Sequence, residues 1–570
     1  MACIRRLGLA LALVLPLAAH AQQPDTSAFY RALDLEGLGK FREAATLYRR
    51  ALDTPDRVNA ILGLERAYAE LGITDSILPP LDSLIARYPT EPVYRSVQMR
   101  AFTMLARPDD AQRAFASWVS VAPGSVDPYR EYARLLLERG NAALADSIIR
   151  LAGLQLGTTS SLQMELAESR AALGKWEPSA TAWRGALSQM PDLDQAAAFS
   201  LARAPDESRP GIRAIFLALP VDLGARRALA ELDMAWGSPG DAWAALRELH
   251  PDSASVNAWL DFARRAEADD DWPLVRDALV AALRWHSDPD LALRAATAAL
   301  NAGDPQTALA LVPSSGLDSA RAAATVLPLR VRALATYGRP AEAQALVDAF
   351  SHLMSPLQRS ALQRSVALGW VRSGDLARAR AALDSAGADA DSSDAAGWLA
   401  LYEGNLAGAR AILRNSTDAS PQLAEALALI TRMPEDSAAD VGAAFLSLAR
   451  LDSAGAAKAF AAAAPRHPDA APAMLGEAAQ IHAAQHDTSD AIALWALILS
   501  KYADSPEAPG AELAWARQLR RAGDAAGATK HLEHLILTYT ESALVPQARR
   551  ELELVRRAIP GGAADGGVDR

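Results

Sequence analysis

The chain has 570 residues, 51% of them hydrophobic and 22% charged, which is ample material for a large buried core. Its formal charge of −11 becomes −13 once Arg5 and Arg6 are discounted. A chain this acidic lacks the basic footprint that general nucleic-acid or anionic-membrane binding requires.

The N-terminus reads "MACIRRLGLALALVLPLAAHAQQ". Arg5 and Arg6 form a positive n-region, Leu7 to Ala18 an apolar core, and Ala19-His20-Ala21 a small-residue cleavage site, so the pattern predicts a signal peptide over 1–21, cut before Gln22. The apolar run is too short for a membrane span. The one cysteine, Cys3, precedes that run, whereas a lipoprotein cysteine follows it. The expected mature chain therefore has no thiol, no disulfide, no lipid anchor and no integral membrane segment. It is periplasmic or secreted.

Next comes "GKFREAATLYRRALDTPD", Gly39 to Asp56, and its skeleton returns as "GKWEPSATAWRGALSQMPD", Gly174 to Asp192. Used as a ruler, the opening glycine finds equivalents at Gly39, Gly72, Ala106, Gly140, Gly174, Gly237, Asp270, Gly303, Gly338, Gly374, Gly404, His486 and Gly523, with a weak pivot near Leu451. The first steps are 33, 34, 34 and 34 residues, a repeat signature.

Each offset has a physical task. Seven residues before the turn stands a small residue (Ala32, Ala133, Ala167, Ala263, Ala479), and five after it another (Ala44, Ala145, Ala379, Ala528). Two helices joined by a tight turn approach closely only where facing side chains are small. Nine after the turn a large apolar residue, such as Tyr48, Phe115, Trp183 or Trp495, fills the space to the next hairpin. Proline ends the second helix at Pro89, Pro123, Pro191 and Pro468. Glycine suits the turn because it takes left-handed geometry without strain.

These slots resemble the tetratricopeptide repeat family, over roughly Ala28 to Leu552. The resemblance implies an all-α fold: a right-handed superhelical solenoid of about 14–15 antiparallel helix-turn-helix repeats. The expected divisions are N-terminal repeats over 22–192, central repeats over 193–415 with a degenerate first unit, and a degenerate segment or linker over 416–438. C-terminal repeats with a terminal helix follow over 439–557, then a disordered tail over 558–570. The final repeats, around "LSKYADSPEAPGAELAWARQLRRAGD", are similar to those of periplasmic envelope-assembly and Tol-Pal-type proteins.

Chemical motifs dissolve on inspection. "GLGKF" and "LGKW" lack the earlier glycine and the following Ser or Thr of a phosphate loop: those places hold Asp34 and Phe41, then Ser169 and Trp176. "EADDDW", Glu267 to Trp272, lacks the ligand alternation and central glycine of a calcium loop. "HAAQH", His482 to His486, has Ala483 where a zinc protease needs glutamate, and "HLEH" offers only His531 and His534. No G-x-S-x-G elbow occurs. The expectation is no catalytic residue, no metal and no cofactor.

In this family the first helix of each repeat lines the groove. The residue six before each turn, expected to point inward, is Arg66, Arg100, Arg134, Glu168, Glu231, Arg264, Thr297, Arg332, Leu368, Gln480 and Arg517 in turn. Arg66, Arg100, Arg134, Arg264, Arg332 and Arg517 are the candidate ligand-binding residues, able to hold the carboxylates of an acidic or extended polypeptide. The alternative is that they pair internally with acids such as Glu70, Glu138 and Glu168. The expected function is a non-catalytic protein-interaction scaffold of the bacterial cell envelope. The competing expectation is an envelope enzyme or a glycan- or peptidoglycan-binding protein framed by the solenoid.

Overall fold

The computed structural model describes residues 26–387, 390–417 and 419–558. The expected signal peptide, and the expected tail beyond Ala558, lie outside the described residues. Among these there are 32 α-helices and no strand. Two helices, Pro421–Thr431 and Val545–Ala558, stand outside the hairpin order; most of the other thirty pack against a sequence neighbour as hairpins. Two compact units result, Met1–Phe262 and Ala263–Arg570.

The ruler positions carry the local geometry. Gly39, Gly72, Gly140, Gly174, Gly237, Gly303, Gly338, Gly374, Gly404 and Gly523 have φ between +68° and +87°. Ala106, Asp270, Leu451 and His486 adopt the same left-handed backbone, with φ of 54°, 57°, 63° and 62°. The next residue then often caps the second helix. Asn141, Asp271, Asp304, Asp375, Asn405, Asp452 and Asp524 each accept a hydrogen bond from the backbone N–H three residues on. One helix thus ends and the next begins within two residues.

A side chain with a Cβ is strained in this backbone by about 1–2 kcal/mol. Leu451 adds nothing to offset that, since its side chain is exposed. Leu451→Gly is therefore expected to raise the stability of its unit by about 0.5–1 kcal/mol, read as a higher denaturant midpoint. An unchanged or lowered midpoint would contradict the strain.

Packing follows the same register. In the N-terminal unit the small slots Ala32 and Ala44 are fully buried, as are the fillers Tyr48, Leu81, Ile149 and Trp183. The first helices Thr26–Gly37, Arg57–Glu70, Pro92–Met104, Asp127–Glu138 and Gln163–Ala172 each contact the next in that series. They form one continuous layer, and the second helices lie behind it. This layer carries Arg66, Arg100 and Arg134.

In the C-terminal unit the helices Pro289–Asn301, Ala320–Thr336, Pro356–Ser373, Ala390–Tyr402 and Ala439–Ala449 each contact the next in that series, with one helix inserted. The stretch 416–438 contains the helix Pro421–Thr431, whose Leu423, Ala426, Leu429 and Ile430 are buried. The Arg410 guanidinium donates to the carbonyls of Ile430, Met433 and Glu435 at 3.0, 2.6 and 3.0 Å. Carbonyls at and beyond the helix end thereby gain a charged donor. Val545–Ala558 packs Val545, Ala548, Leu552 and Val555 onto the last hairpin.

Candidate functional site

On the first-helix layer of the N-terminal unit, arginine and glutamate alternate from repeat to repeat. Arg66 clamps Glu36 of the preceding hairpin with Nε to Oε1 at 2.6 Å and Nη2 to Oε2 at 3.0 Å. The Tyr48 hydroxyl donates to the same carboxylate. These hydrogen bonds, that from Arg66 foremost, hold the Glu36 carboxyl below its ordinary value.

Arg100 stands between two acids. It meets Glu65 bidentately, at 2.7 and 2.8 Å, and Glu131 at 3.1 Å. Glu131 also accepts from Arg134 at 2.9 Å and from the Ser96 hydroxyl at 2.8 Å. Burial opposes ionisation of Glu131, but the bonds from Arg134 and Ser96 and the charge of Arg100 outweigh it, so its carboxyl titrates low. Arg134 reaches Glu138 as well, at 2.6 Å. Arg130, on the same helix, lies 3.3 Å from the buried Glu165 of the next repeat, whose pKa burial nevertheless raises.

Beside this row lies a cavity of about 380 Å³, with Leu62, Pro92, Val93 and Trp118 on its apolar side and Ser96, Arg100, Arg130 and Glu131 on its polar side. Apolar walls with a few convergent polar groups make a binding surface in the general sense. The exposed fractions grade the arginines: 25% of the Arg100 side chain, but 53% of Arg66 and 44% of Arg134.

The other inward candidates are placed as follows. Arg264 has an interaction partner. Arg517 binds Glu551 at 3.1 Å, and Arg520 approaches the other oxygen of that carboxylate at 3.4 Å. Arg332 is exposed and has no ion pair or hydrogen bond among the described residues. Arg66, Arg100 and Arg134 thus share one face of one unit, whereas Arg264, Arg332 and Arg517 belong to the other unit.

Of the acids expected as partners, Glu138 pairs with Arg134, whereas the Glu70 and Glu168 side chains have no ion pair or hydrogen bond among the described residues; Glu36, Glu65 and Glu131 were not expected. A signal was available: Glu65 stands seven before its turn, where most other repeats hold a small residue.

The histidine motifs resolve as local pairs. His531 and His534 each place Nδ1 2.5 Å from one oxygen of the buried Glu512, and His531 stacks on Trp515. His482 sits 3.1 Å from Asp487, and together with Asp490 these two bring one donor atom each within 4.8 Å of one another. His486 is the turn residue.

No protein-family model matches the chain, and neither does any curated protein. Among solved structures it is similar to one titled "Structure of Naa15/Naa10 bound to HypK-THB", at 13% identity and TM-score 0.24, over 94% of this chain and 97% of that one. It is also similar to "Crystal structure of APC/C hetero-tetramer Cut9-Hcn1", at 12% identity and TM-score 0.26, over 93% and 96%. At these TM-scores the likeness carries no residue or partner across.

Proposed function

We propose that this chain is a non-catalytic interaction scaffold of the bacterial cell envelope, which holds an extended polypeptide along the first-helix layer of its N-terminal unit. The observation that supports this reading most is the row of partly exposed charges set beside the apolar cavity of Leu62, Val93 and Trp118. Arg66 and Arg134 are the groups that take a carboxylate of the partner. Each is about half exposed, and each uses only part of its five N–H donors on its internal glutamates. Arg100, between Glu65 and Glu131, keeps the row in place. A partner segment with acidic side chains at hairpin spacing fits this arrangement.

The signal-peptide pattern read over 1–21, and the resemblance read in the last repeats' sequence, are the grounds on which we place the scaffold in the envelope.

The test uses a photoreactive amino acid in intact cells. Placed at Leu62 or Val93, which line the cavity, it is expected to yield protein adducts in the periplasmic fraction. Placed at the exposed Leu144, on the second helix Ala142–Leu156, it is expected to yield none. Adducts confined to Leu144, or absent everywhere, would overturn the reading.

A further inference from the structure

Glu131 and Glu165 both stand nine residues before their turns, and both meet arginine: Arg100 and Arg134 for the first, Arg130 for the second. Glu477 holds the same position, nine before His486. Among the described residues no hydrogen bond or ion pair reaches it. The cause is visible in the slot six before each turn. Where successive N-terminal repeats carry Arg66, Arg100 and Arg134, the repeats around Glu477 carry Trp398, Phe445 and Gln480.

Two of these replacements, Trp398 and Phe445, line a cavity of about 260 Å³. Trp398 and Tyr402, stacked at 6.1 Å, form one side, and Phe445 and Leu448 another. Glu477 enters from the helix Ala471–Ala484. The inserted helix Pro421–Thr431 contributes Glu425, which likewise has no partner among the described residues.

We infer that this cavity is a binding site for an arginine side chain of a polypeptide partner, which brings from outside the cation that Arg100 and Arg134 provide within the N-terminal unit. A guanidinium is planar. It can lay its face on the indole and phenyl rings while its edge meets the carboxylates. The cavity has room for that head group and part of its stem. A divalent metal is a poor fit, since it asks for six or more oxygens and the lining is largely aromatic and aliphatic.

The electrostatics agree. Burial, with the charge of Glu425 added, pushes the Glu477 carboxyl up to about 7. Burial pushes the Tyr402 phenol up to about 12, so it stays neutral. The other charged groups close by are Arg432 and Glu507, which pair with each other beside Gly476. A bound cation favours the ionised form of Glu477. Binding therefore releases a proton near neutrality, and affinity rises with pH.

The inference rests on the scaffold reading for the source of the arginine, but its test uses a defined peptide. The full mature chain, labelled with 5-fluorotryptophan, is titrated with acetyl-Ala-Ala-Arg-Ala-Ala-amide. The Trp398 resonance is assigned through Trp398→Phe. A saturable shift of that resonance is expected, strengthening about tenfold in affinity from pH 6 to pH 8 as Glu477 ionises. The peptide with citrulline in place of arginine should leave the resonance unmoved. Glu477→Gln should abolish the shift while the thermal midpoint holds or rises, because an unpaired, partly buried charge has been removed.

An absent shift, an equal shift with citrulline, or a shift that survives Glu477→Gln would overturn the site. Arginine-peptide binding without adducts at Leu62 or Val93 would instead overturn the groove reading and leave this pocket standing.

Discussion

Arg100→Ala is expected to lower the stability of the N-terminal unit by about 3 kcal/mol, the low end for removing one partner of a buried ion pair. The guanidinium is the shared counter-charge of Glu65 and Glu131, whose side chains are only 14% and 16% exposed. Without it two carboxylates remain in a half-dry layer, and Glu65 keeps no other basic contact among the described residues. Arg66→Ala and Arg134→Ala, at side chains about half exposed, should cost about 1 kcal/mol or less.

Rescue separates charge from packing. Neutralising the acids in the same chain, as R100A/E65Q/E131Q, should restore at least half of the loss, because the stranded charges are gone. Denaturant unfolding followed by circular dichroism checks both parts. If R100A proves as mild as R66A, or if the glutamines restore nothing, the row is not held by internal pairing. Acid gives an independent reading. The folded pKa of Glu131 lies below its ordinary value, so the stability it contributes is present above that value and is lost as the pH falls through the depressed one. R100A should show a shallower acid loss.

Gly442→Ala should be about as damaging to the C-terminal unit, by about 3 kcal/mol, the upper end for overpacking. A Cβ there would lie 2.6 Å from the Gly404 nitrogen, 2.8 Å from its Cα and 2.8 Å from the Leu401 carbonyl oxygen. All three are backbone atoms, so no rotamer change relieves them. Gly404 is itself left-handed, at φ +78°, and its own Cβ would meet Ala439 Cα at 2.8 Å. Two glycines thus bring a turn onto the helix Ala439–Ala449, where the Ala438 N–H donates to the Gly404 carbonyl at 2.9 Å.

This junction also sets the spacing of Trp398 and Tyr402 from Phe445, so the substitution should weaken arginine-peptide binding as well. Gly476→Ala is the control. It lies inside a helix with nothing nearer than 3.9 Å to its added Cβ, and should stabilise by about 0.5–1 kcal/mol. A Gly442→Ala midpoint equal to that of Gly476→Ala would refute the close approach.

The repeat was legible because its demands are local. A left-handed residue between two helices, alanines where those helices touch and one large filler nine residues on recur at fixed offsets. Even Ala106, Asp270 and His486, which are not glycine, could be placed by counting, and each has positive φ. The capping Asp or Asn after many turns belongs to the same local grammar. The stretch 416–438 shows where counting stops. Its docked helix is held by Arg410, whose bonds to Ile430, Met433 and Glu435 span 20 to 25 residues.

The sequence gives no partner for the arginines six before each turn. Arg66 reaches back 30 residues to Glu36, and Arg100 reaches 35 back to Glu65 and 31 forward to Glu131. Several acids lie within those spans, and the choice among them depends on how neighbouring hairpins bring side chains together. The same holds for Glu477, which sequence alone does not distinguish from Glu131.

By itself, then, the sequence determined the repeat and its turns, because each is set by contacts within one hairpin or between adjacent ones. The tertiary structure decided which charges cancel, that Glu425 joins Glu477 across an inserted helix, and that an aromatic cavity stands where a guanidinium would have been. Those outcomes depend on the stacking of three or more helices, and stacking determines which groups lose water and which find a partner.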